Sequence, residues 1–167
     1  MKIELSKYEN LNDILNIINQ AKIYMKKNGI NQWNKDYPKL ESLEKDILDK
    51  TSYIVKDGEK TIGTFVLVFG EEKNYQKIEG AWKTNFPYGT LHRVAVDNNY
   101  KGQGVASFIL NFAKYEAIKK SVYSLRIDTH KDNSSMKRFI EKSGFEFCGI
   151  TYVEDGSPRI AFEKVLK

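Results

Sequence analysis

Residues 94–106 read Val94-Ala95-Val96-Asp97-Asn98-Asn99-Tyr100-Lys101-Gly102-Gln103-Gly104-Val105-Ala106, and this stretch decides the fold. An apolar run suited to a buried strand leads into a polar turn that contains two glycines. After the glycines, apolar residues recur at i, i+3, i+4 and i+7, namely Val105, Phe108, Ile109 and Phe112. The hydrophobic period therefore changes from about 2 to about 3.6 residues, which predicts a strand, a glycine turn and an amphipathic helix.

The glycine turn leaves the start of this helix open to a ligand. The first amide groups of a helix have no intrahelical acceptor, and the positive end of the helix dipole lies there too, so the position suits a pyrophosphate. Gly102 and Gly104 allow close approach to the backbone and positive φ. The same pattern is equally typical of a plain turn before a surface helix. Two other phosphate motifs are excluded, because no Gly-Lys-Ser/Thr follows and Ser107 stands where a dinucleotide loop has its third glycine.

Two motifs in the chain resemble those of the GNAT superfamily of acetyl-CoA-dependent acyltransferases. Lys101-x-x-Gly104-x-Ala106, following Val96, is similar to the family's Arg/Gln-x-x-Gly-x-Gly/Ala after a strand that ends in valine. Residues 133–145 resemble the family's second pattern, in which an Asn, a helix with two adjacent bulky residues and Gly-Phe follow one another. The order and separation of the motifs match, and the resemblance covers essentially the whole chain. It implies an α/β fold with a mixed sheet of six or seven strands and about four helices.

The hydrophobic pattern along the chain agrees with that architecture. Asn10 is the expected N-cap of the first helix, Gly29 is its expected end, and Asp57-Gly58 is a hairpin signal. No repeat, linker or low-complexity tract divides the chain, so we expect a single domain over residues 1–167. The pattern predicts strands at 2–7, 51–57, 60–69, 89–97, 122–129, 145–153 and 158–166, and helices at 10–28, 40–49, 103–119 and 134–143.

The resemblance implies that acetyl-CoA is the cosubstrate and indicates the residues that bind it. Backbone groups near Val94 and Val96 would pair with the pantetheine amides, and amide groups of residues 102–107 would hold the pyrophosphate. Lys101 keeps a cation where the family usually has Arg or Gln, but without the planar fork of Arg. Asn133 would touch the cofactor arm, although an Asn before a helix is also a favoured N-cap. The predicted cofactor residues are Val94, Val96, Lys101, Gly102, Gln103, Gly104, Val105, Ala106, Ser107 and Asn133.

The catalytic residues are less well indicated than the cofactor loop. Ile140 stands where many family members have a tyrosine that can protonate the departing thiolate, so Tyr123, Tyr100 or a water would have to replace it, or no acid is needed. His92 is the leading candidate for the base, because period-2 alternation puts it on one side of the strand with Thr90, Val94 and Val96, unless a bulge intervenes. A histidine on a buried strand is also often structural. Glu79 and Asp128 are reserve candidates for the base.

An aromatic loop after the first helix, residues 29–38, is the expected border of the acceptor site. Trp33 and Tyr37 could cover an aliphatic or cationic acceptor, or they could simply close the core. Trp82 and Tyr88 carry the same ambiguity.

Composition limits the other readings of the chain. The net charge of +5 invites a nucleic-acid hypothesis, but the lysines are scattered and no Arg-rich arm or aromatic platform accompanies them.

Cys148 cannot form an internal disulfide and has no partner for nucleophilic chemistry, so a small buried residue in a cytoplasmic protein is the simplest interpretation. No metal site is expected, since the only histidines, His92 and His130, are far apart and no Cys or His cluster exists. No segment has the length of a membrane span or the core of a signal peptide.

The sequence therefore predicts an enzyme that transfers an acetyl group from acetyl-CoA to a primary amine of a small molecule or peptide by direct attack in a ternary complex. The loss of tyrosine at Ile140 leaves open a catalytically weak acyl-CoA-binding or sensor module. A basic nucleic-acid-binding domain is the weaker alternative. A homodimer through the C-terminal strands is compatible with the apolar strand that ends the chain.

Overall fold

Eight β-strands and four α-helices form in the computed structural model, which describes all residues from 1 to 167. Short 3-10 turns precede the first helix, follow the third strand and follow the fifth. The helices are α1 (Leu11–Lys27), α2 (Leu40–Leu48), α3 (Val105–Lys119) and α4 (Ser134–Lys142). The strands are β1 (Lys2–Leu5), β2 (Ser52–Asp57), β3 (Lys60–Phe69), β4 (Glu79–Gly80), β5 (Gly89–Val96), β6 (Ser124–Thr129), β7 (Glu146–Tyr152) and β8 (Pro158–Val165).

All eight strands belong to one mixed sheet in the order β1-β2-β3-β5-β6-β8-β7-β4. Strands β5 and β6 are parallel, whereas β2 is antiparallel to β1 and β3, and β8 is antiparallel to β6 and β7. The predicted mixed α/β architecture with four helices is confirmed, and so is the hairpin at Gly58, which has a φ of 60°. The predicted number of strands, six or seven, is one or two too low.

The strand that the sequence missed is β4, which consists of two residues and pairs with β7. Two residues are too few for a hydrophobic period to show. The backbones of β4 and β7 approach closely at Gly80 and Gly149, which lie opposite each other. A Cβ on Gly80 would lie 2.2 Å from the carbonyl oxygen of Cys148, and one on Gly149 would lie 2.1 Å from that of Glu79. Glycine is therefore required at both positions.

The chain divides into two compact units, each made of two segments. The first unit consists of Met1–Leu67 and His92–Phe112. Its core consists of the apolar face of α1 together with residues from α2, β2 and β5. The buried members of this core are Leu11, Ile14, Ile17, Ile18, Met25, Ile30, Trp33, Leu43, Ile54 and Ala95.

The second unit consists of Val68–Leu91 and Ala113–Lys167. Apolar side chains from β6, β8 and α4 are buried in it, Leu125, Phe162 and Ile140 among them. It also buries an ion pair, in which Arg126 Nε lies 3.4 Å from Glu163 Oε1. The buried Glu163 accepts hydrogen bonds as well, so this unit depends on polar as well as apolar contacts.

Both ends of α1 lie where the sequence predicts them, but only the C-terminal end is stabilised in the predicted way. Gly29 follows the helix with a φ of 67°, as expected of a helix end. Asn10 occupies the N-cap position, but its side chain accepts a hydrogen bond from the amide of Lys7, at 2.7 Å, and none from the helix. None of the helices combines the length and the apolar character that crossing a membrane requires.

Candidate active site

The turn between β5 and α3 is held in shape by Asp97, which is buried. Its carboxylate accepts hydrogen bonds from the amide of Asn99 at 2.9 Å and from the side-chain amide of Gln20 at 3.2 Å. The Oε1 of Gln20 in turn accepts from the amide of Asn98 at 2.7 Å. Burial alone would raise the pKa of Asp97, but these hydrogen bonds outweigh it and the pKa lies below its ordinary value. Helix α1 therefore fixes the turn through one residue, Gln20.

The glycine loop, residues 97–107, contains two residues with left-handed backbone. The φ angles of Gly102 and Gly104 are 76° and 82°. No heavy atom lies within 4 Å of a Cβ built on either residue, so conformation and not lack of space selects glycine here. Residues 101–104 are all exposed.

Helix α3 begins with amide groups that have no partner within the helix. The amide of Phe108 donates to the carbonyl oxygen of Gly104 at 2.9 Å, so the amides of residues 105–107 precede the first intrahelical bond. The ammonium group of Lys101 lies 4.4 Å from the centre of the Tyr24 ring. Amides without an intrahelical acceptor, the positive end of a helix and a nearby cation together suit a phosphate group.

The backbone residues predicted to pair with pantetheine lie on β5 beyond its ladder with β6. Parallel pairing joins Gly89 to Leu125 and Thr90 to Arg126. Val94 and Val96 lie further along β5, outside these pairs.

Strand β5 carries a non-glycine residue with left-handed backbone, Arg93, whose φ is 50°. The guanidinium of Arg93 donates two hydrogen bonds to the carboxylate of Asp46, at 2.8 and 2.9 Å, and a third to the hydroxyl of Tyr37 at 3.0 Å. Regular alternation does not continue through such a residue. Period-2 counting therefore does not establish that His92 lies on the same face of β5 as Val94 and Val96.

Asp46 is a buried carboxylate that interacts with Arg93 and with the charge of the predicted base, His92. Burial raises the pKa of Asp46, while the charges of Arg93 and His92 act in the opposite direction. Burial would lower the pKa of Arg93, but Asp46 and Tyr37 more than offset it, so Arg93 is a firmly charged partner. His92 is half-buried and near enough to Asp46 for their charges to interact. Its role as the base stays a prediction.

The two aromatic residues predicted for the acceptor loop have different environments. Trp33 is 7% exposed and belongs to the core, as the alternative interpretation has it, although part of it also borders a surface cleft. Tyr37 is 43% exposed, and its hydroxyl accepts the hydrogen bond from Arg93.

In the second unit, Asn133 is the N-cap of α4. Its side-chain oxygen accepts a hydrogen bond from the amide of Met136 at 3.2 Å, which confirms the capping interpretation. Contact with the cofactor stays a prediction. Ile140 is completely buried in α4, so this position offers neither a proton nor an exposed surface.

The remaining candidates have structural partners. Asp128 accepts a hydrogen bond from the hydroxyl of Tyr75 at 2.6 Å, and Glu79 accepts one from Tyr152 at 2.9 Å. Trp82 and Tyr88 flank the guanidinium of Arg126, with ring centres 4.1 and 3.9 Å away, so both help to bury that charge.

Three further features bear on the predicted chemistry. The ring of Tyr100 lies under Lys60, and the ring of Tyr123 lies under Lys167, each with the ammonium 4.9 Å from the ring centre. Cys148 is buried, and burial raises the pKa of its thiol. No group of three His, Cys, Asp or Glu residues lies close enough together to hold a metal ion.

The chain is similar to known acetyltransferases in both sequence and structure. The model of the GNAT acetyltransferase family matches residues 12–145. A GNAT-family acetyltransferase from Streptococcus agalactiae 2603 has 29% identity and a TM-score of 0.87, over 99% of this chain and 95% of that one. A Staphylococcus aureus MU50 structure described as a putative acetyltransferase has 26% identity and a TM-score of 0.76, over 100% of both chains.

The fold also extends to more distant structures. The NatC complex bound to Gag peptide and CoA contains a chain with 15% identity and a TM-score of 0.70, over 100% of both chains. No curated protein sequence matches the chain.

Proposed function

Since the chain belongs to the GNAT acetyltransferase family and is an N-acetyltransferase, we propose that it transfers the acetyl group of acetyl-CoA to a primary amine of a small molecule or peptide. The observation that carries this proposal is the glycine loop, in which two left-handed glycines lead into the first amides of α3, which have no acceptor within the helix. Those amides fit the pyrophosphate of CoA, and the NatC structure of the same fold contains CoA.

The residues that would hold acetyl-CoA follow from the loop and its neighbours. The amides of Gly102, Gln103, Gly104, Val105, Ala106 and Ser107 would bind the pyrophosphate, with Lys101 as the nearby cation. The backbone of Val94 and Val96 would pair with the pantetheine amides, and Asn133 would contact the arm in addition to capping α4. When bound, acetyl-CoA supplies the activated acyl group as a thioester.

In the proposed mechanism the acceptor amine, held near Tyr37, attacks the thioester directly. The amine must be unprotonated to attack, and we propose that His92 accepts its proton, directly or through a water. A free thiol has a pKa of about 8.5, so the thiolate can leave near neutral pH without the tyrosine that Ile140 replaces. Trp33 contributes to acceptor binding only along the side that borders the surface cleft.

The cofactor loop can be tested with a matched pair of glycine variants. Gly104 and Gly58 both have positive φ and open space around a Cβ, so Gly104→Ala and Gly58→Ala should each cost about 1–2 kcal/mol of unfolding free energy. Only Gly104→Ala should weaken acetyl-CoA binding, by about tenfold or more, because it displaces amides that bond a charged group. Calorimetric titration with acetyl-CoA measures this. No binding by the wild-type chain, or equal weakening by both variants, would contradict the site.

The transfer reaction is tested by an acceptor screen over amines, amino acids, polyamines, aminoglycosides and peptide N-termini, with thiol release as the readout. An acceptor that releases thiol identifies the substrate class. Tight acetyl-CoA binding without release for any acceptor would instead favour the sensor module that Ile140 makes conceivable. His92→Ala should lower kcat for a productive acceptor, because the attacking amine then loses the side chain that accepts its proton. An unchanged rate across the pH range would remove His92 from the mechanism.

The proposal also includes the context of the enzyme. We propose, on the sequence alone, that the enzyme is a single domain over residues 1–167. We propose on the same basis that it is cytoplasmic and forms a homodimer. Strand β8 has β6 and β7 on its two edges, so a dimer would have to form without adding a strand there.

A further inference from the structure

The first unit contains a surface cleft of about 890 Å³ beside the C-terminal half of α1 and the segment that follows it. Three lysines, Lys22, Lys26 and Lys35, line this lysine cleft together with the apolar residues Ile23, Ile30 and Trp33. A volume of this size lies in the range of sites that take ligands larger than one amino acid. The lining combines positive charge with apolar surface, and the function of the glycine loop does not use it.

The cleft follows one face of α1. Asn19, Lys22, Ile23 and Lys26 recur at i, i+3, i+4 and i+7 and line it together. The neighbouring face, with Gln20 and Tyr24, contacts the glycine loop instead. Ile23 is 68% exposed at the middle of the cleft face, so most of this apolar side chain is left in solvent.

The charge of the cleft is compensated only in part. No acidic residue lines it, and neither Lys26 nor Lys35 has a carboxylate partner, in contrast to Lys45, which pairs with Asp49. Lys22 donates a hydrogen bond to the carbonyl oxygen of Pro38 at 2.9 Å. Burial lowers the pKa of Lys22 and nearby Asp36 acts against this, so Asp36 is the acidic residue that bears on the cleft from its edge. A carboxylate-bearing ligand complements such a lining.

The cleft wall is tied to the strand that carries the predicted base. Asn34, in the wall, exchanges backbone hydrogen bonds with Tyr37 at 2.9 and 3.2 Å. The Tyr37 hydroxyl in turn accepts the hydrogen bond from Arg93, the neighbour of His92. A ligand seated against the wall is thus held by the same short segment that contacts β5.

We propose that the lysine cleft binds the acceptor, and that the acceptor is the N-terminal end of a peptide with acidic side chains. This rests on the proposed function. The face from residue 19 to residue 26 spans about 10 Å of helix, the length of about three extended peptide residues. Lys26 and Lys35 would bind carboxylates of the peptide, and Ile23 with the exposed edge of Trp33 would cover an apolar side chain between them.

Binding is tested first, without turnover, by calorimetry on the full chain. The probes are Ala-Glu-Leu-Glu, Ala-Gln-Leu-Gln and Ala-Lys-Leu-Lys, each with a free N-terminus and an amidated C-terminus. The acidic peptide should bind about three- to tenfold more tightly than the glutamine peptide, as expected of two partly exposed charge pairs, and high salt should reduce the difference. The double variant Lys26→Gln, Lys35→Gln should abolish the preference. Lys27→Gln, an exposed neighbour that does not line the cleft, should leave it unchanged.

Equal affinity for the acidic and glutamine peptides, no binding of either, or the same loss in Lys27→Gln as in the double variant would overturn the proposal. Thiol release with acetyl-CoA then tests whether the bound peptide is an acceptor. The double variant should raise KM for the acidic peptide with kcat unchanged, because the lysines bind ground state and transition state alike. If the acidic peptide binds but only other amines release thiol, the cleft is not the acceptor site, while acetyl transfer itself stands.

Discussion

Among individual residues, Arg93 is unusual because its backbone lies where L residues rarely go. Two other non-glycine residues, Lys50 and Ser121, also have positive φ, but each follows shortly after the end of a helix, where such a conformation is common. Arg93 lies inside a strand, where a left-handed residue costs about 1–3 kcal/mol. Its bidentate pair with Asp46 and its bond to Tyr37 hold the residue in place. This ion pair therefore stabilises the irregular section of β5 next to His92.

Removing the charge of Asp46 should destabilise the chain strongly. The side chains of Arg93 and Asp46 are only 16% and 12% exposed, so Asp46→Asn leaves a buried guanidinium without its counter-charge. We expect a loss of about 1–3 kcal/mol in the free energy of unfolding, measured by urea denaturation, because Arg93 loses its partner although burial already disfavours the Asp46 carboxylate. Asp49→Asn is the matched control, because Asp49 lies on the turn after the same helix and pairs with Lys45 in an exposed position. It should cost less than about 1 kcal/mol, and a similar loss in both variants would show that the Asp46 pair has no special weight.

At the level of elements, the helices and long strands could be predicted because their hydrophobic patterns are local and repeated. The predicted helix at 10–28 forms at Leu11–Lys27, and the predicted strand at 60–69 forms at Lys60–Phe69. The glycine loop was equally local, since both glycines and the start of α3 lie within a few residues. Gln20 and Asp46 could not be found this way. Each acts on a partner far along the chain, 77 residues away for Asp97 and 47 for Arg93, and no periodicity links such pairs.

Strand β8 carries the buried carboxylate of the second unit, Glu163. It accepts hydrogen bonds of 2.6 Å from the hydroxyls of Thr84 and Ser124 and from the amide of Lys83, and it pairs with Arg126. Burial would raise the pKa of Glu163, but these bonds and the Arg126 charge outweigh it, so the pKa lies below the ordinary value of 4.5. Glu163 thereby joins β8 to β6 and to the segment before β5.

The lowered pKa of Glu163 predicts a specific loss of stability in acid. A carboxyl whose pKa is lower in the folded than in the unfolded chain stabilises the fold above its unfolded pKa, and this contribution disappears as pH falls through the folded value. Glu163→Gln should therefore cost about 3 kcal/mol near pH 7, and its difference from wild type should shrink below about pH 4.5. Urea denaturation between pH 3 and 7 measures this. Glu146→Gln, whose carboxylate is exposed beside Lys83, should show a small difference at every pH. A constant penalty for Glu163→Gln across the range would contradict the assignment.

In the whole molecule, the two compact units do not correspond to two consecutive stretches of the sequence. Each unit consists of two segments separated in sequence, and the boundaries fall inside β3, β5 and α3. A strand or helix cannot be cut at such a point without losing the hydrogen bonds that continue through it. We therefore expect neither unit to be a separately folding domain, in keeping with the proposal of one domain over residues 1–167.

This expectation can be tested because each unit contains one of the two tryptophans, Trp33 in the first and Trp82 in the second. In Trp82→Phe the fluorescence reports on the first unit, and in Trp33→Phe it reports on the second. Within each variant, the urea transition followed by fluorescence should coincide with the transition followed by far-UV circular dichroism, as two-state unfolding requires. Comparing probes within one variant removes the effect of each substitution on stability. If either tryptophan reports a midpoint that differs from the dichroism midpoint, its unit unfolds separately and the chain is not one cooperative domain.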